Sequence, residues 1–295
     1  PSNGTNKEDA YAAVVSTINR VNEIFETELG IHLELVTGID LIYPNVDTDP
    51  YDKNLNSEVQ KVLDDNFGEE NYDIGHLFAY ASNGGNGDAG NVGSVCRNGT
   101  KGGAFSAHSF QGTTTDPFLN DHFDIDYVTH EMGHQFGAFH TFSFRNEFEG
   151  FNSEPGSGST IMGYAGIVGF DNVQRHSDPY FHYHSIHNIN QYIDNKSCYL
   201  SVVNENQIPT VSADRDYTLP VGTAYELEAT ATDPDGDTIY YCWEQLDSGQ
   251  VDAANFGPYN HLGAQARSFP PSLSPIRTIP QMEAVLEGNL TIENP

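Results

Sequence analysis

A chain of 295 residues can hold one large folded unit and one small one, and its 37% apolar content, with 16 Tyr and 17 Phe, is that of a globular protein. Twelve Lys and Arg stand against 42 Asp and Glu, a formal charge of -30 that repels nucleic-acid phosphates and anionic lipid and argues against both as partners. No apolar run reaches bilayer-spanning length, so no membrane segment is expected.

The first residues, PSNGTNKEDA, lack a basic region followed by an apolar stretch, so any signal peptide or propeptide is expected upstream of them or already removed. From 8 to 28, Tyr11, Val14, Val15, Ile18, Val21, Ile24 and Phe25 recur at helical spacing and predict a helix with one buried stripe. IHLELV, IDLIY and IGHLFAYA then alternate as half-buried strands, which suggests a mixed sheet. Gly85, Gly87 and Gly90 fit the spacing of a dinucleotide fingerprint, but NVGSVCRNGTKGG supplies no helix after them. An edge strand with loops is the better reading.

Helical spacing returns in DIDYVTHEMGHQFG, where His130 and His134 fall one turn apart on one face, the right spacing to share a zinc ion. Glu131, beside them and not needed as a ligand, can act as general base and then acid. Gly137 is expected to end the helix in a left-handed residue and turn the chain, so that His140 returns as third ligand and the fourth position stays open. Asp126, one turn before His130, fits helix capping or solvation, and alternatively the orienting of an imidazole.

After Pro179, YFHYHSIHNINQYI reads as a second amphipathic helix, with His182, His184 and His187 as packing residues rather than a second metal group. VVNENQIP is a reasonable linker, placing a first domain at 1–205 and a second at 206–295. TVSADRDYTL, AYELEATATD and TIYYCWEQLD are three alternating runs and predict a small β-sandwich-like module. Its proline-rich end has no obvious boundary, which leaves room for a natural chain that continues past Pro295. In DPDGD, the three carboxylates of Asp233, Asp235 and Asp237 fit a calcium-binding turn and equally an ordinary polar turn.

HEMGHQFGAFH, followed by Met162 in STIMGYAG, resembles the metzincin zinc metalloproteases with their methionine turn, and over about residues 5 to 205 the chain is closest to the reprolysins and their secreted bacterial relatives. The resemblance implies an α+β fold. Its catalytic domain has a mixed sheet, an active-site helix and an irregular lower subdomain, here followed by the fibronectin III- or Ig-like module. It further implies a cleft for an extended polypeptide substrate, hydrolysis of internal peptide bonds by water that zinc activates, and Met162 as an apolar floor under the histidines. Cys96 and Cys198, two of three cysteines, are implied to form a disulfide, against the alternative of two reduced buried thiols.

Two positions depart from the reprolysin pattern. Thr141 stands where Asp usually follows the third histidine, so that residue's role does not carry over. Tyr164, two residues after Met162, resembles the tyrosine of astacins and serralysins, a displaceable zinc ligand that stabilises the oxyanion; the alternative is a residue of the specificity-pocket wall. The expectation is therefore a secreted, monomeric, extracellular zinc endopeptidase, with calcium as a second cation. The competing class is an inactive matrix-binding protein on the same fold, and a second alternative is an astacin- or serralysin-like enzyme.

Overall fold

The computed structural model describes residues 6–36, 38–45, 47–82, 84–109, 121–147, 150–213 and 215–288. They group into two compact units that are not consecutive in sequence: Pro1–Phe139 with Pro179–Tyr199, and His140–Asp178 with Leu200–Pro295. The final segment, 289–295, on which the expected continuation bears, lies outside the described residues.

In the first unit, α1 (Lys7–Leu29) starts where the Asn6 side chain accepts the Asp9 N–H at 2.7 Å and stops at Gly30, whose φ of 65° turns the chain out of the helix. Its buried stripe, including Ile18, Val21, Ile24 and Phe25, is the one the spacing predicts. Phe25 meets Phe136 edge to face at 5.1 Å and Phe181 at 5.8 Å, joining three segments in one aromatic core.

The sequence reading has no counterpart for α2 (Leu55–Phe67). Leu55, Val59, Val62 and Leu63 do recur at helical spacing there, diluted by polar residues. The strand expected at IHLELV is absent. Residues 31–36 are irregular and largely exposed, and Leu33 pairs both its backbone groups with the Asn22 side chain, at 2.8 and 2.9 Å. A side-chain amide takes the place of a strand neighbour, so alternation without a partner yields no strand.

Three strands form the sheet of this unit: β1 (His76–Tyr80), β2 (Gly85–Asp88) and β3 (Ala104–His108), in the order β1-β3-β2. β1 runs parallel to β3 and β2 antiparallel to it, so the sheet is mixed and the glycine-rich segment is its edge. Against it pack a π-helical segment (Asp124–Thr129) and α3 (His130–Gln135), while α4 (Tyr183–Ile193) packs on α1. A disulfide joins Cys96 to Cys198 just beyond α4, their Cα atoms 5.7 Å apart. No helix among the described residues is long and apolar enough to cross a membrane.

The second unit contains the antiparallel sheet β4-β5-β6, formed by Thr210–Ala213, Tyr225–Thr232 and Ile276–Ile279, and the short helix α5 (Met282–Leu286). Two of the expected strands are present. The third sheet position is filled by β6, while TIYYCWEQLD makes only an isolated bridge between Tyr241 and Ser272. Half-buried Trp243 donates its indole N–H to the Pro275 carbonyl at 3.1 Å, while Cys242 is exposed. In the same unit, Ser143 and Gly156 pair with a C-terminal segment: Val251 N–H reaches the Ser143 carbonyl at 2.9 Å, and Gly156 N–H reaches the Val251 carbonyl at 2.8 Å.

Candidate metal centre

The helix that carries HEMGH is locked at both ends. Upstream, Thr17 Oγ1 on α1 donates to Asp124 at 2.8 Å and Arg20 pairs with Asp121 at 2.7 Å. The wide turns of the π segment then lead directly into α3, a placement typical of functional helices. At the C-terminal end, Gly137 N–H bonds the His134 carbonyl and Ala138 N–H the Gly133 carbonyl, both at 2.9 Å, the paired bonds of a glycine-terminated helix. Gly137 has φ 104°, and a Cβ there would sit 2.8 Å from Tyr192 Cβ, so both backbone and packing demand glycine.

Polar groups between α3 and the sheet are satisfied by neutral partners. The N–H groups of Gly93, Ser94 and Val95 bond the last carbonyls of the helix, those of His134 and Gln135, at 2.8 to 3.1 Å. Gln135, fully buried, donates to the Gly75 carbonyl at 3.0 Å and meets His76 Nδ1 at 3.1 Å. The other His76 nitrogen lies 2.9 Å from Ser106 Oγ, and burial lowers this imidazole to about 4. Neither the His76 nor the Gln135 role was read from the sequence.

The ligand-capable atoms of His130, His134 and His140 lie within 4.8 Å of one another, the convergence the motif predicts. His134 Nδ1 faces the Ala138 carbonyl at 2.7 Å, and His140 Nδ1 faces Glu147 Oε2 at 2.5 Å. Both partners accept only, so each Nδ1 carries the proton and each Nε2 offers its lone pair. With His130 these two imidazoles make a converging set of three, which suits zinc.

Glu131 is buried and is not one of the converging ligands. Burial, and then the charge of Asp88, raise its carboxyl to about 8, opposed by a hydrogen bond from the Ala89 N–H. A cation held by the neighbouring imidazoles acts in the opposite direction. The edge strand makes this packing feasible: a Cβ on Gly87 would lie 2.4 Å from Glu131 Oε1, and one on Gly85 would lie 2.1 Å from the Tyr127 ring. The spacing Gly85-x-Gly87 therefore serves close approach of backbone to the helix, and no nucleotide loop is formed.

Around His140 the chain has no regular structure. The imidazole stacks on Phe142 at 4.8 Å and meets the Tyr164 ring edge to face at 4.6 Å. Met162 is fully buried, and its carbonyl accepts the Thr141 N–H at 3.1 Å, which ties the methionine turn to the residue after the third histidine. Thr141 Oγ1 donates to Glu154 at 2.5 Å, and Glu154, 1% exposed, also accepts Thr160 Oγ1 at 2.6 Å and the N–H groups of Ser159 and Thr160 at 2.9 and 3.1 Å. Glu154 and Glu147 escaped the sequence reading, since isolated acids in loops carry no periodic signal.

Of the remaining candidates, His182 is buried at the start of α4, where its Nδ1 accepts the His184 N–H at 3.2 Å, and His187 stacks on Tyr183 at 5.8 Å. Asp233 accepts the backbone N–H groups of Asp235 and Asp237 at 2.8 and 3.1 Å, while Asp235 accepts two bonds from Gln207 at 2.6 and 3.0 Å. Those are the bonds of a polar turn.

No curated protein matches the chain. Residues 2–193 match the family model described as Metallo-peptidase family M12B Reprolysin-like. That match covers well over half of the chain and includes the three converging histidines and the methionine turn, and the chain belongs to the reprolysin-like M12B metallopeptidases.

Proposed function

We propose that this zinc metalloprotease is a secreted, monomeric endopeptidase that hydrolyses internal bonds of extracellular polypeptides, with Glu131 as general base and acid. The observation that carries the reading is the convergence of His130, His134 and His140 beside a buried carboxylate that is not among the ligands. His130, His134 and His140 would hold the zinc, which would supply a Lewis acid able to polarise the scissile carbonyl and to acidify water. Glu131, pressed against the bare Cα of Gly87, accepts the proton of the attacking water and returns it to the departing amine nitrogen.

Tyr164 enters the proposal as the group that stabilises the developing oxyanion, supported by its ring contact with His140. Secretion is supported by the Cys96–Cys198 disulfide, a bond favoured in oxidising compartments. In this reading residues 1–205 are the catalytic domain and 206–295, which carry β4-β5-β6, an accessory β-sandwich-like domain; the compact units divide the chain differently, with His140–Asp178 grouped with Leu200–Pro295.

The test compares the intact chain with Glu131→Gln on a denatured protein substrate, with zinc content measured in parallel. Glu131→Gln is expected to keep its zinc and to lose turnover by at least about a thousandfold. Undiminished proteolysis in that variant would falsify the assignment.

A further inference from the structure

His134 and His140 are held at Nδ1 by different chemistry. His134 leans on a neutral carbonyl, that of Ala138, whereas His140 leans on a carboxylate, Glu147. A carboxylate behind an imidazole fixes its tautomer and raises the donor strength of the opposite nitrogen, which a neutral carbonyl does more weakly.

Glu147 is itself held in place. Its backbone N–H donates to Asn152 Oδ1 at 3.2 Å, and Asn152, 1% exposed, donates to the Phe142 carbonyl at 2.6 Å and accepts the Gly249 N–H on its own carbonyl at 3.0 Å. Its second oxygen meets Arg145 at 3.3 Å, and the Arg145 guanidinium lies over the Phe142 and Phe144 rings at 5.4 and 5.2 Å. Phe142 and Tyr164 meanwhile confine the plane of the His140 ring. The side chains of His140 and Glu147 are 11% and 27% exposed, so the pair is only partly open to water and the charge retains part of its effect.

We propose that Glu147 is a positioning residue of the metal centre, holding His140 as the Nδ1–H tautomer with Nε2 presented as a strengthened third donor. The proposal rests on the zinc reading above. A bond serving only the local chain around Glu147 is the competing role, and it predicts a change in thermal stability with none in metal affinity.

The intact chain, Glu147→Ala and Glu147→Gln are to be titrated with zinc against a chromophoric chelator, and the visible spectra of their cobalt(II) forms recorded. Glu147→Ala is expected to weaken zinc binding about 10- to 100-fold and to alter the cobalt spectrum. Glu147→Gln, which keeps an acceptor and drops the charge, should fall between it and the unmodified chain, and decides the matter alone if Glu147→Ala does not fold. Unchanged affinity and spectrum in the folded variants, beside an unmodified chain that binds zinc and cleaves substrate, overturn the proposal alone. An unmodified chain that binds no zinc overturns the parent reading with it.

Discussion

The helix that bears His130 and His134 and the stretch that bears His140 are supported in opposite ways. At the C-terminal end of α3 and toward the sheet the partners are neutral: backbone N–H groups from 93 to 95, the amide of Gln135 and the uncharged His76. Around His140 the described residues form no helix or continuous strand, and beside loop backbone bonds such as Thr141 N–H to Met162 two carboxylates, Glu147 and Glu154, gather the donors. The difference teaches that a metal site can draw its order from secondary structure for some ligands and from charged side chains for others. The second kind of support fails more abruptly when a single residue is removed, because it leaves several buried donors unsatisfied at once.

Glu154→Ala is the sharpest way to break that contrast. It strands the hydroxyls of Thr141 and Thr160 and two N–H groups in a dry environment, and is expected to cost about 3–5 kcal/mol. Urea unfolding of the intact chain measures it, and a loss below about 1 kcal/mol means that water or neighbours satisfy those donors equally well.

On the neutral side, Gly87→Ala places a methyl against the mobile end of Glu131 and not against backbone. The fold is expected to survive and kcat/KM to fall by about 100-fold, since a displacement near 1 Å at a catalytic group has effects of that order. A variant with the activity of the unmodified chain shows that the carboxylate does not work from this position.

The smallest effect is that of pH on His76. Its folded pKa, about 4, lies below the unfolded value of about 6.5, so the unfolded chain takes the proton first. The stability due to neutral burial is complete above about pH 6.5 and is lost as pH falls toward 4, amounting to about 2 kcal/mol by pH 5. Comparing urea midpoints at pH 7 and 5 in the unmodified chain and in His76→Gln isolates this contribution; equal slopes in the two proteins argue that the imidazole titrates normally.

Legibility in the sequence followed the same division. α1, the α3 helix and α4 were readable because periodic apolar residues and terminal glycine are local signals, and the three histidines because spacing on a helix and one glycine turn fix them. IHLELV failed as a strand because alternation says nothing of whether a partner exists, and Asn22 had taken that place. Glu147, Glu154 and Asn152 were unreadable for a related reason: each acts through loops brought together by the fold. Gly85 and Gly87 were visible as glycines, but the atoms they make room for lie some forty residues further along the chain.

Zinc bound per chain is the measurement closest to the central claim, made by elemental mass spectrometry on the intact protein after exhaustive dialysis, beside His140→Ala and Glu131→Gln. The account predicts one tightly held ion in the unmodified chain and in Glu131→Gln, and its loss from His140→Ala. An unmodified chain that retains no zinc, or a His140→Ala variant that holds the ion as tightly as its parent, contradicts it.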